Sequence, residues 1–333
     1  MKGEEITKKL KLSVALCTYN GEPFIEEQLN SIVKQQMPID EIIICDDVST
    51  DHTLSIINDY TLKNPDINWI VIKNSQQLGV TKNFEKALSL CSGDFIFLSD
   101  QDDIWRPDKT KKIIDYFKNH AEIELVFSNA KLIDENGIPK SDKTLFDACG
   151  LNQLRKQWEQ GLQFEIENVI QRLLGATFGI RKEFLQQCLP FNQEFINYHD
   201  GQIAMQSVVN HCNGMIDECL IDYRIHGNNV VGLGKSRNWV FSTGICPNEF
   251  ASLLEPRPIN PFFLSNKADK IRDRIDFFRK RVHYYKSGKG KIILLLSAYQ
   301  YVKYYKRFWH YFFFCDLLYG VSKRLRNRIA YQK

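Results

Sequence analysis

Phe95-Ile96-Phe97-Leu98-Ser99-Asp100-Gln101-Asp102-Asp103 is the stretch on which the fold turns. Its apolar run fits a buried strand, and the carboxylates at its exit sit on rigid backbone where oxygen ligands can gather a hard divalent cation. With one residue between them in extended chain, Asp100 and Asp102 point to the same side. A cation gathered there can clamp a diphosphate and neutralise its charge as it leaves. Taken alone, an Asp-x-Asp is also what an ordinary acidic turn looks like.

The surrounding chain places that exit in a larger pattern. Upstream, Leu12-Ser13-Val14-Ala15-Leu16-Cys17 opens into Thr18-Tyr19-Asn20-Gly21. Pro23 to Gln35 follows, with Phe24, Leu29, Ile32 and Val33 as the apolar positions of a helix-like stretch. Ile42-Ile43-Ile44-Cys45 then opens into Asp46-Asp47-Val48-Ser49-Thr50-Asp51. Strand, helix, strand reads as a parallel α/β unit, and ligands in such sheets bind beyond the carboxyl ends of the strands. Tyr19, Asp46, Asp47, Asp100 and Asp102 all fall at such ends, so one crevice can hold them.

Downstream, Trp69–Ile72 reads as a strand, 74–79 as a loop and Val80–Leu90 as a helix. Pro107 suits the start of a helix running to about Lys118. Leu125–Ser128 and Ala130–Ile133 read as strands around a turn at Glu135-Asn136-Gly137. Residues 141–163 read as a loop or helix pair over the site. Gly175–Ile180 reads as a strand whose small residues allow close backbone approach. The glycines and prolines between Gly232 and Pro261 mark the expected domain boundary.

Leu16-Cys17-Thr18-Tyr19-Asn20, Cys45-Asp46-Asp47-Val48-Ser49-Thr50-Asp51 and Ser99-Asp100-Gln101-Asp102-Asp103-Ile104-Trp105 resemble the nucleotide-sugar-binding motifs of the family 2 (GT-A fold) glycosyltransferases. The wording around Asp102 is similar to the bacterial rhamnosyltransferase-like branch. Tyr198-His199-Asp200 resembles that branch's catalytic-base segment, and Tyr223-Arg224-Ile225-His226-Gly227 and the residues to Gly232 resemble the segment that closes its core. The resemblance implies an α/β, Rossmann-like GT-A fold: a mixed, mainly parallel sheet flanked by helices, catalytic over 1–235, with a helical, basic and aromatic extension over 236–333. It implies Asp200 as catalytic base, and Cys17, Tyr19, Asp46, Asp47, Asp100 and Gln101 at the nucleotide-sugar. Asp47 would accept the ring N–H of the base, and Tyr19 would be its aromatic contact. Asp102, Asp100 and His226 would be ligands of Mn²⁺ or Mg²⁺.

The implied activity is inverting transfer from a nucleotide-sugar, dTDP-rhamnose among them, to a lipid-linked or polysaccharide acceptor in bacterial surface-glycan synthesis. Simpler roles stand beside several of these. Asp200 also suits a helix cap, Tyr19 core packing, and His226 a buried hydrogen-bonded role. Arg224 is suited either to the diphosphate or to a core carboxylate. A nucleotidyltransferase would also use strand-end carboxylates and Mg²⁺, but Thr18-Tyr19-Asn20-Gly21 lacks the glycine-rich basic loop such enzymes need. A non-catalytic nucleotide-sugar-binding module would not require both Asp102 and Asp200, which are present.

With 333 residues, 44% hydrophobic and 25% charged, the chain has the composition of a globular enzyme and not of a disordered or collagen-like protein. The polar, charged stretch Met1 to Lys11 argues against a secretory signal, and nine scattered cysteines point to reduced thiols in the cytoplasm. The spacing of His199, His211, Cys212, Cys219 and His226 matches no common zinc pattern. Net charge is +4, but residues 265–333 hold 18 Lys/Arg against 4 Asp/Glu, and the rest of the chain is acidic. That stretch is also crowded with aromatics, among them Tyr304, Phe308 and Trp309, which suits peripheral contact with an anionic membrane surface at the inner face. The other expectation is a plain helical tail packed on the core. Nucleic acid is not an expected partner.

Overall fold

Three nearly unbroken apolar runs need cover on both faces, and that need sets the architecture. The computed structural model describes residues 10–161, 163, 167, 172–191 and 198–227. β1 (Leu12–Thr18), β2 (Glu41–Asp46) and β4 (Phe95–Ser99) are buried along almost their whole length. β3 (Asn68–Lys73) is half-buried at the sheet edge. Each of Ile42, Ile43 and Ile44 is fully buried and contributes roughly 1.5–3 kcal/mol relative to exposure. The four strands run parallel, with Cys17 opposite Cys45, Thr18 opposite Asp46 and Leu16 opposite Ser99. Strands β1, β2 and β4 therefore end level with one another, and their exit loops share one edge.

The remaining strands are β5 (Ile104–Trp105), β6 (Leu125–Ile133), β7 (Pro139–Thr144), β8 (Phe178–Arg181) and β9 (Asn213–Arg224). The order across the sheet is β3-β2-β1-β4-β8-β6-β9-β5, with β7 paired to β6. β8 runs antiparallel to both β4 and β6, while β9 runs parallel to β6. The sheet is thus mixed and centred on a parallel half. The helices are α1 (Ile25–Val33), α2 (Thr53–Lys63), α3 (Val80–Leu90), α4 (Lys109–Asn119), α5 (Leu145–Ala148), α6 (Arg155–Glu159), α7 (Lys182–Cys188) and α8 (His199–Val209). The amphipathic helices bury a stripe: Ile25, Leu29 and Ile32 from α1, and Ile113, Ile114 and Phe117 from α4. Among the described residues no helix is long and apolar enough to cross a membrane.

Several sequence-based boundaries move for local reasons. α1 begins at Ile25 and not at Pro23, because the N–H groups of Phe24 and Ile25 both bond back to the Gly21 carbonyl in a turn. α4 begins at Lys109, since Pro107 belongs to a turn closed by Lys109 N–H on the Arg106 carbonyl. The two strands expected at 125–133 are one, β6, with irregular register around Asn129, and the turn at 135–137 leads on to β7. Gly175–Thr177 is a 3-10 turn, and only Phe178 onward is strand. Residues 141–161 hold the end of β7 and two short helices. The expected boundary at 232–261 and the extension over 236–333 lie outside the described residues.

Candidate active site

The level ends of β1, β2 and β4 are laced together by side chains. The Gln101 amide accepts from Tyr19 N–H (2.8 Å) and donates to the Tyr19 carbonyl (3.0 Å), pairing the two loops as a strand neighbour would. Gly21 makes room for it, since a Cβ there would lie 2.3 Å from Gln101 Oε1. Asn20 N–H donates to Ser49 Oγ (2.8 Å), and Asn20 Oδ1 accepts from Thr50 N–H (2.9 Å).

Two residues expected at the nucleotide-sugar, Gln101 and Asp46, also hold the loops together. Each polar atom of Gln101 makes one bond to the Tyr19 backbone. Asp46 is fully buried and accepts from Thr18 Oγ1 (2.9 Å), from Ser49 N–H (2.9 Å) and from Ser49 Oγ. Asp47 is nearly buried too, and accepts from Asn74 Nδ2 (2.9 Å), Leu78 N–H (2.7 Å) and Gly79 N–H (2.9 Å). A carboxylate has about four lone-pair positions, so Asp47 keeps room for one further donor. Tyr19 stands 43% exposed, open to a ligand and not packed in the core. Cys17, at the end of β1, has Cys45, Asp100 and Asp47 as electrostatic neighbours, and burial pushes its thiol well up, so it stays neutral.

The loop after β4 gathers charge. Asp102 Oδ2 lies 2.8 Å from His226 Nε2, with the imidazole against the Phe24 ring, centroids 4.6 Å apart. Burial, and then the carboxylates of Asp102 and Asp200, push Asp100 up to about 8. Asp103 is buried; Oδ1 accepts from Arg224 N–H (2.9 Å), and Oδ2 has no hydrogen-bond partner. Arg224, at the end of β9, answers the question its sequence left open. Its guanidinium is buried, donating to the carbonyls of Asp102 (2.8 Å), Asp134 (3.3 Å) and Glu135 (3.0 Å) and to Glu27 Oε2 (2.6 Å). It fixes the acidic loop from behind. Beyond His226 opens a cleft of ≈ 400 Å³ lined by Asp134, Glu135, Lys140, Ile225, His226 and Gly227.

Asp200 comes from another direction, in the first turn of α8. The cap position belongs to Tyr198, which makes no side-chain cap bond. Asp200 Oδ2 accepts from Gly175 N–H (3.1 Å) and Oδ1 from Gly201 N–H (2.8 Å). Beside it His199 stacks on Phe84 (3.9 Å between centroids), and burial lowers its imidazole to about 4. Sequence reasoning passed over Lys109, a fully buried cation under the acidic loop whose Nζ donates to the Ala176 carbonyl (2.8 Å). A signal was there: Lys109 precedes Ile113 and Phe117 at helical spacing, on the buried face of α4.

Among the described residues no group of three or more His, Cys, Asp or Glu side chains is arranged to hold a metal. Asp102 and His226 nevertheless suit a hard cation. Neighbouring donors of an octahedral Mg²⁺ or Mn²⁺ lie about 3 Å apart, given bonds of ~2.1 Å, and these two stand at 2.8 Å. Asp100 lies next to this pair, and one oxygen of buried Asp103 has no hydrogen-bond partner.

The crevice has recognisable relatives. Over 233 residues the chain is 35% identical to the "dTDP-rhamnosyl transferase RfbG" of Shigella flexneri, covering 65% of this chain and 73% of that one. A 33% identical mycobacterial protein is matched over 134 residues, 38% of its length. In structure the chain is similar to TarS of S. aureus solved with UDP, with a TM-score of 0.52 at 20% identity, covering 89% of each chain. It is also similar to a Pyrobaculum calidifontis mannosyltransferase solved with GDP-Man and Mn²⁺, with a TM-score of 0.50 at 16% identity, covering 92% of this chain and 84% of that one. These likenesses establish the GT-A fold. The description "Glycosyl transferase family 2" matches residues 13–189, more than half of the chain. With strand-end motifs, fold and sequence in agreement, this chain belongs to glycosyl transferase family 2 and is a glycosyltransferase.

Proposed function

We propose that this enzyme transfers a sugar, with inversion, from a nucleotide-sugar to a lipid-linked or polysaccharide acceptor in bacterial surface-glycan synthesis, and that it works with Mn²⁺ or Mg²⁺. The observation that carries the reading is that Asp102, paired with His226, and Asp200, held by the Gly175 N–H, are both electrostatic neighbours of Asp100. Inverting transfer needs these two functions: a place for the departing diphosphate, and a base for the acceptor on the opposite face of the sugar.

On the donor side, Tyr19 offers an exposed ring for stacking a nucleobase, and Asp47 its remaining lone pair for a base N–H. Asp102 and His226, assisted by Asp100, would hold the cation, which when bound neutralises the diphosphate. On the acceptor side, Asp200 takes the proton of the acceptor hydroxyl. That oxygen attacks the anomeric carbon, the bond from this carbon to the diphosphate oxygen breaks, and the nucleoside diphosphate leaves. The Gly175 and Gly201 N–H groups hold the Asp200 carboxylate in place in the first turn of α8.

The rhamnosyl relative makes dTDP-rhamnose the first donor to test. We place the work at the inner face of the membrane, where the basic, aromatic extension over 236–333 meets anionic lipid. The test is nucleotide release from a panel of UDP-, GDP- and dTDP-sugars with extracted lipid-linked acceptors, with Mn²⁺ or Mg²⁺ and with excess chelator. Chelation should abolish turnover, and Asp102→Asn should cost at least ~100-fold, the scale of losing a main electrostatic stabiliser. Full turnover in chelator, with Asp102→Asn unaffected, would sink the metal assignment.

A further inference from the structure

Lys109 is fully buried between the end of the acidic loop, at Trp105, and the Gly175–Thr177 turn. Its ammonium lies 3.7 Å from the centroid of the Trp105 ring and donates to the Ala176 carbonyl at 2.8 Å. The carboxylates that face it are Asp103 and Asp100, and against them burial still lowers Lys109 to about 7. A cation is retained in such a place only when nearby anions and hydrogen bonds offset its lost hydration.

Ala176 is the middle residue of the Gly175–Thr177 turn, and the first residue of that turn donates its N–H to Asp200 Oδ2. The turn is pressed close to α8. A Cβ on Gly175 would come 3.0 Å from Asp200 Cβ and 3.3 Å from His199 Nε2, so small shifts of the turn must be felt by Asp200.

We propose that Lys109 is a positioning residue that joins the donor side of the site to the acceptor side. Its amino group, seated on the Trp105 ring just after the acidic loop, holds the Ala176 carbonyl and so sets the turn that presents Gly175 N–H to Asp200. This rests on the reading of Asp200 as the base. Displacing a reacting group by ~1 Å can cost on the order of 100-fold in rate. Lys109→Met keeps the length and apolar stem but removes both charge and donor, so it should lower the kcat of transfer on that scale. The donor loops are held separately, by Gln101 on Tyr19 and by Arg224 on the acidic loop, so donor affinity should stay within about threefold of wild type.

The experiment is a double-mutant cycle on the full chain, using Lys109→Met, Asp200→Glu and the pair, with kcat and donor dissociation constants measured in Mn²⁺. Asp200→Glu moves the carboxylate away from Gly175 and leaves a rate that can be followed. If Lys109 acts through Asp200, adding Lys109→Met to Asp200→Glu should change kcat by less than about threefold. The same large loss in both backgrounds would overturn the inference, as would donor affinity falling in step with kcat, because a merely structural lysine predicts both. Lys109→Leu, which also removes the donor to the Ala176 oxygen, carries the cycle should the methionine variant not fold. An undiminished kcat in Asp200→Asn would remove Asp200 as the base, and the Lys109 inference with it.

Discussion

Val48 holds a backbone angle of φ 70°, a left-handed conformation that a β-branched side chain strongly resists. It is kept there because its neighbours are fixed: Asp46 grips Ser49 and Thr18, and Asp47 grips Asn74, Leu78 and Gly79. Strain of roughly 1–2 kcal/mol, offset in part by the unfolded-state entropy of glycine, predicts that Val48→Gly gains about 0.5–1 kcal/mol. Denaturant unfolding of both proteins checks this, and a loss of stability would contradict it. At Asp200 the outcome expected is kinetic. Asp200→Asn should remove transfer by at least ~100-fold while the fold stays intact, as for loss of a general base. Near-normal transfer would leave its carboxylate with a structural role only. Placement was legible at this scale where a residue stood at a strand or helix end, as Asp100 does after β4 and Asp200 in the first turn of α8. It was not legible where function runs through partners far apart in sequence. Nothing in the local sequence says that Gln101 bonds to Tyr19, that Asp46 is sealed by Thr18 and Ser49, or that Arg224 clamps the carbonyl of Asp102.

Glu41 shows how the strands are tied at the end opposite the site. It is 2% exposed and accepts from Ser13 Oγ (2.7 Å), Ser92 N–H (2.7 Å), Ser92 Oγ (2.6 Å) and Lys11 Nζ (3.0 Å), joining β1, β2 and the turn before β4. Burial alone would raise its pKa, but the bonds from Ser92, Ser13 and Lys11 outweigh burial and hold it at about 2. A folded pKa below the unfolded one means that the unfolded chain takes up the proton first. Glu41 therefore stabilises the fold above pH ~4.5, and that contribution is lost as pH falls from there towards about 2. Glu41→Gln should cost roughly 1.5–3 kcal/mol at neutral pH, the worth of a hydrogen bond to a charged group. Unfolding curves taken from pH 7 downward should show the gap to wild type closing below pH ~4.5; a gap that stays constant would contradict this origin. The strands tied here were legible because β1, β2 and β4 are continuous apolar runs. β7 was not: its six residues, Pro139-Lys140-Ser141-Asp142-Lys143-Thr144, are polar and largely exposed, paired to β6 by backbone bonds alone. β5 is two residues long, and β9 mixes exposed Asp217 and Glu218 with buried Leu220 and Ile221, so neither has a clean period.

For the whole molecule, charge is divided between the acidic catalytic part and the 18 Lys/Arg of residues 265–333. If those residues meet anionic lipid, each basic group near the surface adds about 1 kcal/mol, weakened by salt. Full-length enzyme should co-sediment with anionic vesicles at low salt, leave them at high salt and ignore neutral vesicles. Equal binding to both kinds at any salt would contradict the electrostatic reading. In the proposed function Asp102 serves the donor, and Asp200 serves the acceptor. The most direct measurement is calorimetric titration of the preferred nucleotide-sugar into wild type, Asp102→Asn and Asp200→Asn, each with and without Mn²⁺. Binding should require the cation, weaken at least ~10-fold in Asp102→Asn, and stay within about threefold of wild type in Asp200→Asn. Binding that ignores both Mn²⁺ and Asp102, or that is lost in Asp200→Asn, would contradict it.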